Sequence, residues 1–71
     1  MSLLAEAGEA LYGARWQSDL ARDLGVSDRT VRRWVAGTTV VPPGLWLDLL
    51  HLTQERAAVL DALAPRLREA Q

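Results

Sequence analysis

Residues 17 to 37 read QSDLARDLGVSDRTVRRWVAG, and this stretch decides the fold. It predicts a helix of about two turns over residues 17–24, a reversal at Gly25, and a second helix between Ser27 and Gly37. Ser27 is a favourable N-cap, and glycine tolerates the positive φ that a tight reversal requires. Apolar and small residues recur where two short crossing helices would touch, at Leu20, Ala21, Leu24, Val26, Val31 and Trp34.

This order and spacing is typical of a helix-turn-helix, whose second helix enters the DNA major groove in the proteins that use it to bind DNA. Arg29, Arg32 and Arg33 lie on the outer face of the second predicted helix. Arg29 and Arg33 are four residues apart, and such a like-charged pair costs an isolated helix a few tenths of a kcal/mol. An anion bound beside them explains this arrangement better than the alternative, which is an ordinary solvated helix face.

The charge of the chain is unevenly distributed. The chain has 71 residues, which predicts one small domain over residues 1–71, and its net charge is -1. Residues 15–33 carry five arginines against three aspartates, whereas the remainder carries three arginines against six acidic residues. Every basic side chain is arginine, which favours bidentate contacts over simple charge attraction. We therefore expect binding to depend on a few well-placed side chains.

The composition argues against several classes of protein. The chain has no cysteine and one histidine, so disulfides, thiolate metal sites and a catalytic triad are not expected. The carboxylates form no pair that predicts catalysis, and we expect no enzyme activity, cofactor, metal or small-molecule ligand. No apolar run has the length of a membrane span, and no signal-peptide pattern is present. We expect a cytoplasmic protein without a membrane partner.

The flanking segments predict an all-α fold, a four- to five-helix bundle with a long C-terminal helix. Residues 3–12 predict a first helix with Ser2 as its cap, Leu4, Ala7 and Leu11 on one face, and Gly13 as its end. Trp16 is expected at the N-cap position of the second helix, where it would pack as an apolar lid.

The C-terminal segment, residues 44–69, follows an extended loop over residues 38–43. Thr53 and Pro65 leave open whether its helix is broken or continuous. Two apolar stripes along it exceed what three short helices can cover, and Trp46 is expected in the core. We expect the excess to form a homodimer interface, which comprises Leu49, Leu52, Val59, Leu60, Leu63 and Leu67. Arg56 interrupts this stripe and either pairs with Glu55 or Asp61 of the second copy or stays solvated.

Residues 13–50 resemble the lambda-repressor/Cro (XRE-type) family of DNA-binding domains. The resemblance rests on Gln17 at the start of the second helix, on the W-x-x-G pattern of Trp34 and Gly37, and on the proline that follows a short loop, here Pro42 or Pro43. The chain departs from the family pattern at Trp16, where serine or threonine is commoner, and in its longer C-terminal helix.

The resemblance implies a DNA interface. Side chains at the matching family positions contact base edges, which assigns this role to Asp28, Arg29, Arg32 and Arg33. For Asp28 the alternative is an ion pair with Arg32 that only orients the guanidinium. Short polar groups suited to phosphate oxygens occur at Gln17, Ser27, Thr30, Thr38 and Thr39. For Thr30 the alternative is a local hydrogen bond within the helix.

The expected function is transcriptional regulation by a dimer bound to an inverted-repeat operator in double-stranded DNA, with repression by occlusion. Small stand-alone proteins of this kind resemble autorepressors of phage or mobile-element operons, including anti-CRISPR-associated and antitoxin-like regulators. Two alternatives remain. One is a DNA-binding adaptor for packaging or recombination whose C-terminal helix docks a partner protein, and the other is a helix-turn-helix used only for protein contacts.

Overall fold

Four α-helices make up the fold in the computed structural model, which describes residues 2–71. They are α1 (Leu3–Tyr12), α2 (Trp16–Leu24), α3 (Asp28–Ala36) and α4 (Pro43–Glu69), and this described part of the chain has no strand. The prediction of an all-α fold with a long C-terminal helix is confirmed. The number of helices is four, at the lower end of the expected range.

The core lies where α1, α2 and α3 meet the first two turns of α4. Its members are all apolar, and no polar or charged side chain is buried among residues 2–71: the buried set is Leu4, Leu11, Trp16, Leu20, Ala21, Val31, Leu45 and Leu49. Leu24, Val26 and Trp34 pack against this cluster while remaining partly exposed. The helix-turn-helix residues predicted to face one another therefore do so.

The ends of α1 and α3 form as their cap residues predict. The Ser2 hydroxyl accepts a hydrogen bond from the N–H of Ala5, and the Ser27 hydroxyl accepts one from the N–H of Thr30, each at 3.1 Å. Gly25 closes α2 with a φ of 72°, and the N–H of Val26 donates to the carbonyl of Ala21 at 2.9 Å. This left-handed turn sets the path of the chain from α2 into α3.

Trp16 is not the N-cap of α2, as the sequence suggested, but its first helical residue. Arg15 is the N-cap residue, and no side chain caps this helix. The Trp16 side chain is only 4% exposed, and its ring lies on Gly8 of α1. A Cβ at Gly8 would lie 2.1 Å from the ring. The face of α1 that packs on α2 therefore contains Gly8 as well as Leu4 and Leu11, while Ala7 is half-buried.

The C-terminal helix is continuous and begins one residue earlier than expected, at Pro43. Proline suits the first position of a helix because that residue has no intrahelical N–H partner. The Thr53 hydroxyl donates to the Leu49 carbonyl at 2.8 Å and so stays within the helix, which also runs through Pro65. From Thr53 onward every residue is exposed. The second half of α4 projects beyond the core, and the molecule measures 48 × 23 × 22 Å.

Arg56 is exposed and makes a contact within its own chain that the sequence did not indicate. Its guanidinium Nη1 donates to the Leu11 carbonyl at the end of α1 (2.8 Å), and its charged centre lies 5.5 Å from the Tyr12 ring centroid. The Tyr12 hydroxyl in turn donates to Asp23 Oδ2 in α2 at 2.6 Å. Burial of the phenol, followed by this bond to a carboxylate, raises the pKa of Tyr12 to about 12. These contacts connect α4, α1 and α2.

Two residues of α4 contradict the expected division between core and interface. Leu49 is 4% exposed and belongs to the core, so the prediction that it contributes to a dimer surface is wrong. Trp46, expected in the core, is instead 39% exposed. The helices α1–α3 cover the face of α4 that contains Leu45 and Leu49 and leave the neighbouring stripe with Trp46 open. Leu52 is partly buried against the core.

Candidate nucleic-acid interface

The outer face of α3 carries Arg29, Arg32 and Arg33 next to Ala36, at the i, i+3, i+4, i+7 spacing of one helix side. The opposite side is anchored in the core by Val31, which is fully buried. All three arginines are exposed. Within residues 2–71 their side chains form no ion pair, because the single pair found there joins Arg22 and Asp19 at 3.0 Å. Their guanidinium donors therefore face solvent from a rigidly packed helix.

Asp28 contacts α2 and forms no pair with Arg32. The Ser18 hydroxyl donates to Asp28 Oδ2 at 2.9 Å, which links the start of α3 to the start of α2. The alternative role proposed from the sequence, an ion pair with Arg32, is not formed in the part of the chain that the structure describes. No sequence signal indicated Ser18, since this bond spans ten residues and depends on how the two helices cross.

Three of the five expected phosphate-binding residues already make local hydrogen bonds. The Ser27 and Thr30 hydroxyls lie 2.9 Å apart, and the Thr38 hydroxyl donates to the Arg33 carbonyl at 3.2 Å. The local bond considered as the alternative for Thr30 is therefore present. Thr38 has a single hydroxyl hydrogen, and its bond to the Arg33 carbonyl uses it. The Ser27–Thr30 bond uses one of the two hydroxyl hydrogens of that pair, so one hydrogen is left to donate to another group.

Gln17 is half-buried and Thr39 is exposed. Neither side chain has a hydrogen-bond partner among residues 2–71, so both keep their donors available.

The start of α2 is open to an anion. With no capping side chain, its first backbone N–H groups lack the partner that serine provides in α1 and α3. A shallow groove of about 420 Å³ lies beside it, lined by Ala14, Arg15, Gln17, Ser18, Asp19 and Arg22. Free N–H groups at a helix N-terminus attract phosphate oxygens. Arg15 lines this groove but was not among the residues predicted to bind DNA, although its position just before α2 could have been a signal.

Comparison of the chain with known protein families, with curated proteins and with solved structures gives no match. In residues 2–71 no helix combines the length and apolar character of a membrane span. The same residues hold no group of three or more histidine, cysteine, aspartate or glutamate side chains placed to bind a metal ion.

Proposed function

We propose that this protein is a sequence-specific DNA-binding regulator whose helix α3 enters the major groove. The observation that carries the proposal is the exposed row of Arg29, Arg32 and Arg33 on a helix whose other side is fixed in the core. The uncapped start of α2 adds a second anion-binding feature next to Gln17 and Arg15. An exposed arginine row and a free helix N-terminus suit a ligand that presents both base edges and phosphates.

In this proposal each part of the surface has its own task. The three arginines donate to guanine O6 and N7, and Asp28, held by Ser18, accepts from cytosine N4. Gln17 and Thr39 bind phosphate oxygens together with the N–H groups of α2, and the remaining hydrogen of the Ser27–Thr30 pair contributes one more contact. Thr38 would have to release the Arg33 carbonyl to donate to a phosphate.

The regulator acts as a dimer on an inverted repeat and represses by occluding the promoter. The operon it controls includes its own gene, as for the phage and mobile-element repressors it resembles, among them anti-CRISPR-associated and antitoxin-like regulators. A second candidate is a DNA-binding adaptor for packaging or recombination. The exposed C-terminal half of α4 favours it, since a partner protein could dock there.

Selection of binding sites from random DNA, followed by footprinting, tests the proposal directly. We expect enrichment of an inverted repeat rich in G·C pairs whose half-sites lie about 34 Å apart, one turn of DNA. A matching repeat upstream of the gene, occupied in a promoter-shift assay, would support autorepression. Enrichment of no sequence, with equal affinity for every DNA at physiological salt, would contradict it.

A further inference from the structure

An apolar stripe runs the length of α4, but only its first part is covered. Leu45 and Leu49 are buried against α1–α3. Leu52, Val59 and Leu63 continue the same stripe at helical spacing, since they follow Leu45 by seven, fourteen and eighteen residues. Val59 is 61% exposed and Leu63 is 38% exposed. Leu60 and Leu67 widen the exposed part on its flank.

Charged groups beside this stripe are opposite in sign at its two ends. Near the core, an acidic cleft of about 240 Å³ lies between α2 and α4, lined by Asp23, Leu24, Asp48, His51, Leu52 and Glu55. Near the C-terminus, Arg66 follows Val59 by seven residues and Leu63 by three, which places it on the side of α4 that also carries Asp48 and Glu55. Among residues 2–71 Arg56 forms no ion pair with the carboxylates of this cleft, since its guanidinium donates to the Leu11 carbonyl.

We propose that the uncovered half of α4, residues 53–69, pairs antiparallel with the same segment of a second copy about a two-fold axis near residue 61. In this register Val59 of each copy meets Leu63 of the other. Arg66 of each copy lies against the acidic cleft of the other. Parallel pairing would instead place the flank that carries Arg66 and Glu55 beside the opposite flank of the second copy, which carries Leu60, Ala64 and Leu67 and offers no charge partner there. The distribution of charge therefore selects the antiparallel orientation.

The register also gives a spacing, and this step rests on the proposed function. Leu49, where α4 leaves the core, is twelve residues from the axis. With a rise of 1.5 Å per residue, the two cores lie about 36 Å apart along the helix pair. One turn of DNA separates half-sites by about 34 Å. One contact thus covers the apolar stripe and spaces the two domains for an inverted repeat.

Charge reversal tests the orientation in the absence of DNA. Glu55→Arg and Arg66→Glu are each expected to raise the dimer dissociation constant about tenfold in sedimentation velocity, since each turns two symmetric attractions into repulsions. The double variant restores both pairs and should return to within about threefold of wild type. Arg68→Glu is the matched control, since Arg68 projects away from the stripe and this change should have less than about a threefold effect.

Cysteine substitutions provide an independent readout, because the chain has no native cysteine. Val59→Cys and Leu63→Cys chains, mixed and oxidised, should form mostly the mixed disulfide. Ala70→Cys should form none, since residues 70 of the two copies would lie about 27 Å apart.

Four results would overturn the proposal: a monomeric wild type at about 100 μM, equal effects of Arg66→Glu and Arg68→Glu, no rescue in the double variant, or a disulfide between two Ala70→Cys chains. DNA binding is measured separately, so the two proposals can fail independently. A dimer that selects no DNA sequence would contradict the proposed function alone.

Discussion

At the scale of single residues, Arg29 and Arg33 offer the sharpest test of the proposed DNA contact. We expect Arg29→Ala and Arg33→Ala each to abolish most specific binding, because each removes a base contact of about 1–3 kcal/mol twice in a symmetric dimer. Both side chains are exposed, so circular dichroism and melting temperature should stay unchanged. Fluorescence anisotropy at fixed salt measures the loss, with Arg68→Ala as an exposed arginine control on α4. Affinities within about twofold of wild type would rule out base contacts by these arginines.

Gln17 should behave differently because it is proposed to bind a phosphate. Gln17→Ala should weaken binding to all DNA sequences by a similar factor and leave the preferred base at each operator position unchanged. Repeating the site selection with the variant checks this. A changed preference at one base pair would show that Gln17 reads a base or steers a side chain that does.

Tyr12 gives the protein a pH dependence at high pH. Its pKa is raised from 10.0 to about 12, so between these values the unfolded chain loses the phenolic proton while the folded chain keeps it. The stabilisation is complete below pH 10 and is lost as the pH rises towards 12. The urea midpoint of wild type should therefore fall between pH 9 and 11.5 by more than that of Tyr12→Phe. Tyr12 is the only tyrosine, so tyrosinate absorbance follows this group directly. An equal fall of the urea midpoint with pH in wild type and Tyr12→Phe would contradict the raised pKa of Tyr12.

At the scale of the helices, the contact between α1 and α2 depends on the missing side chain at Gly8. Gly8→Ala should destabilise the protein by about 1–3 kcal/mol, because the new methyl overlaps the buried Trp16 ring, and the better helix propensity of alanine offsets only part of this. Gly44→Ala is the matched control. It is also helical and has a negative φ, and a Cβ there meets no atom within 4 Å. A melting temperature of Gly8→Ala equal to or above that of wild type would show that the Trp16 ring can move aside at little cost in stability.

The helix boundaries differ in how far the sequence predicts them. Ser2, Ser27, Gly25 and Gly37 act on atoms within a few residues, so the ends of α1 and α3 and the turn between α2 and α3 follow from local chemistry. The continuity of α4 was not predictable, because Thr53 and Pro65 are compatible with a break or with a continuous helix.

At the scale of the whole molecule, the exposed half of α4 should decide the oligomeric state. Leu60→Asp combined with Leu63→Asp should give a monomer at about 100 μM with little operator affinity, since it removes apolar contacts of about 1.5–3 kcal/mol for each leucine fully buried. Leu47→Asp is the control: Leu47 is a similarly exposed leucine, but it lies on the opposite side of α4. Sedimentation without DNA distinguishes them. An unchanged dimer in the double aspartate variant would exclude this segment as the interface.

The sequence by itself determined the helices α1, α2 and α3, the caps of α1 and α3, the glycine turn and the arginine row of α3, because each depends on residues within about one helical turn of each other. It also indicated that α4 carries more apolar surface than a small core can hide. The role of the arginine row in DNA binding stays a prediction.

Only the tertiary structure decided which stripe of α4 is buried, which leaves Leu49 inside and Trp46 outside. It also decided that Trp16 lies on Gly8, that Ser18 holds Asp28, and that Arg56 reaches the Leu11 carbonyl 45 residues away. The physical reason is the same in each case. Periodicity shows which side of a helix is apolar, but the partner that a side chain meets depends on the crossing angle of two helices, and that angle is fixed only when the whole core packs together.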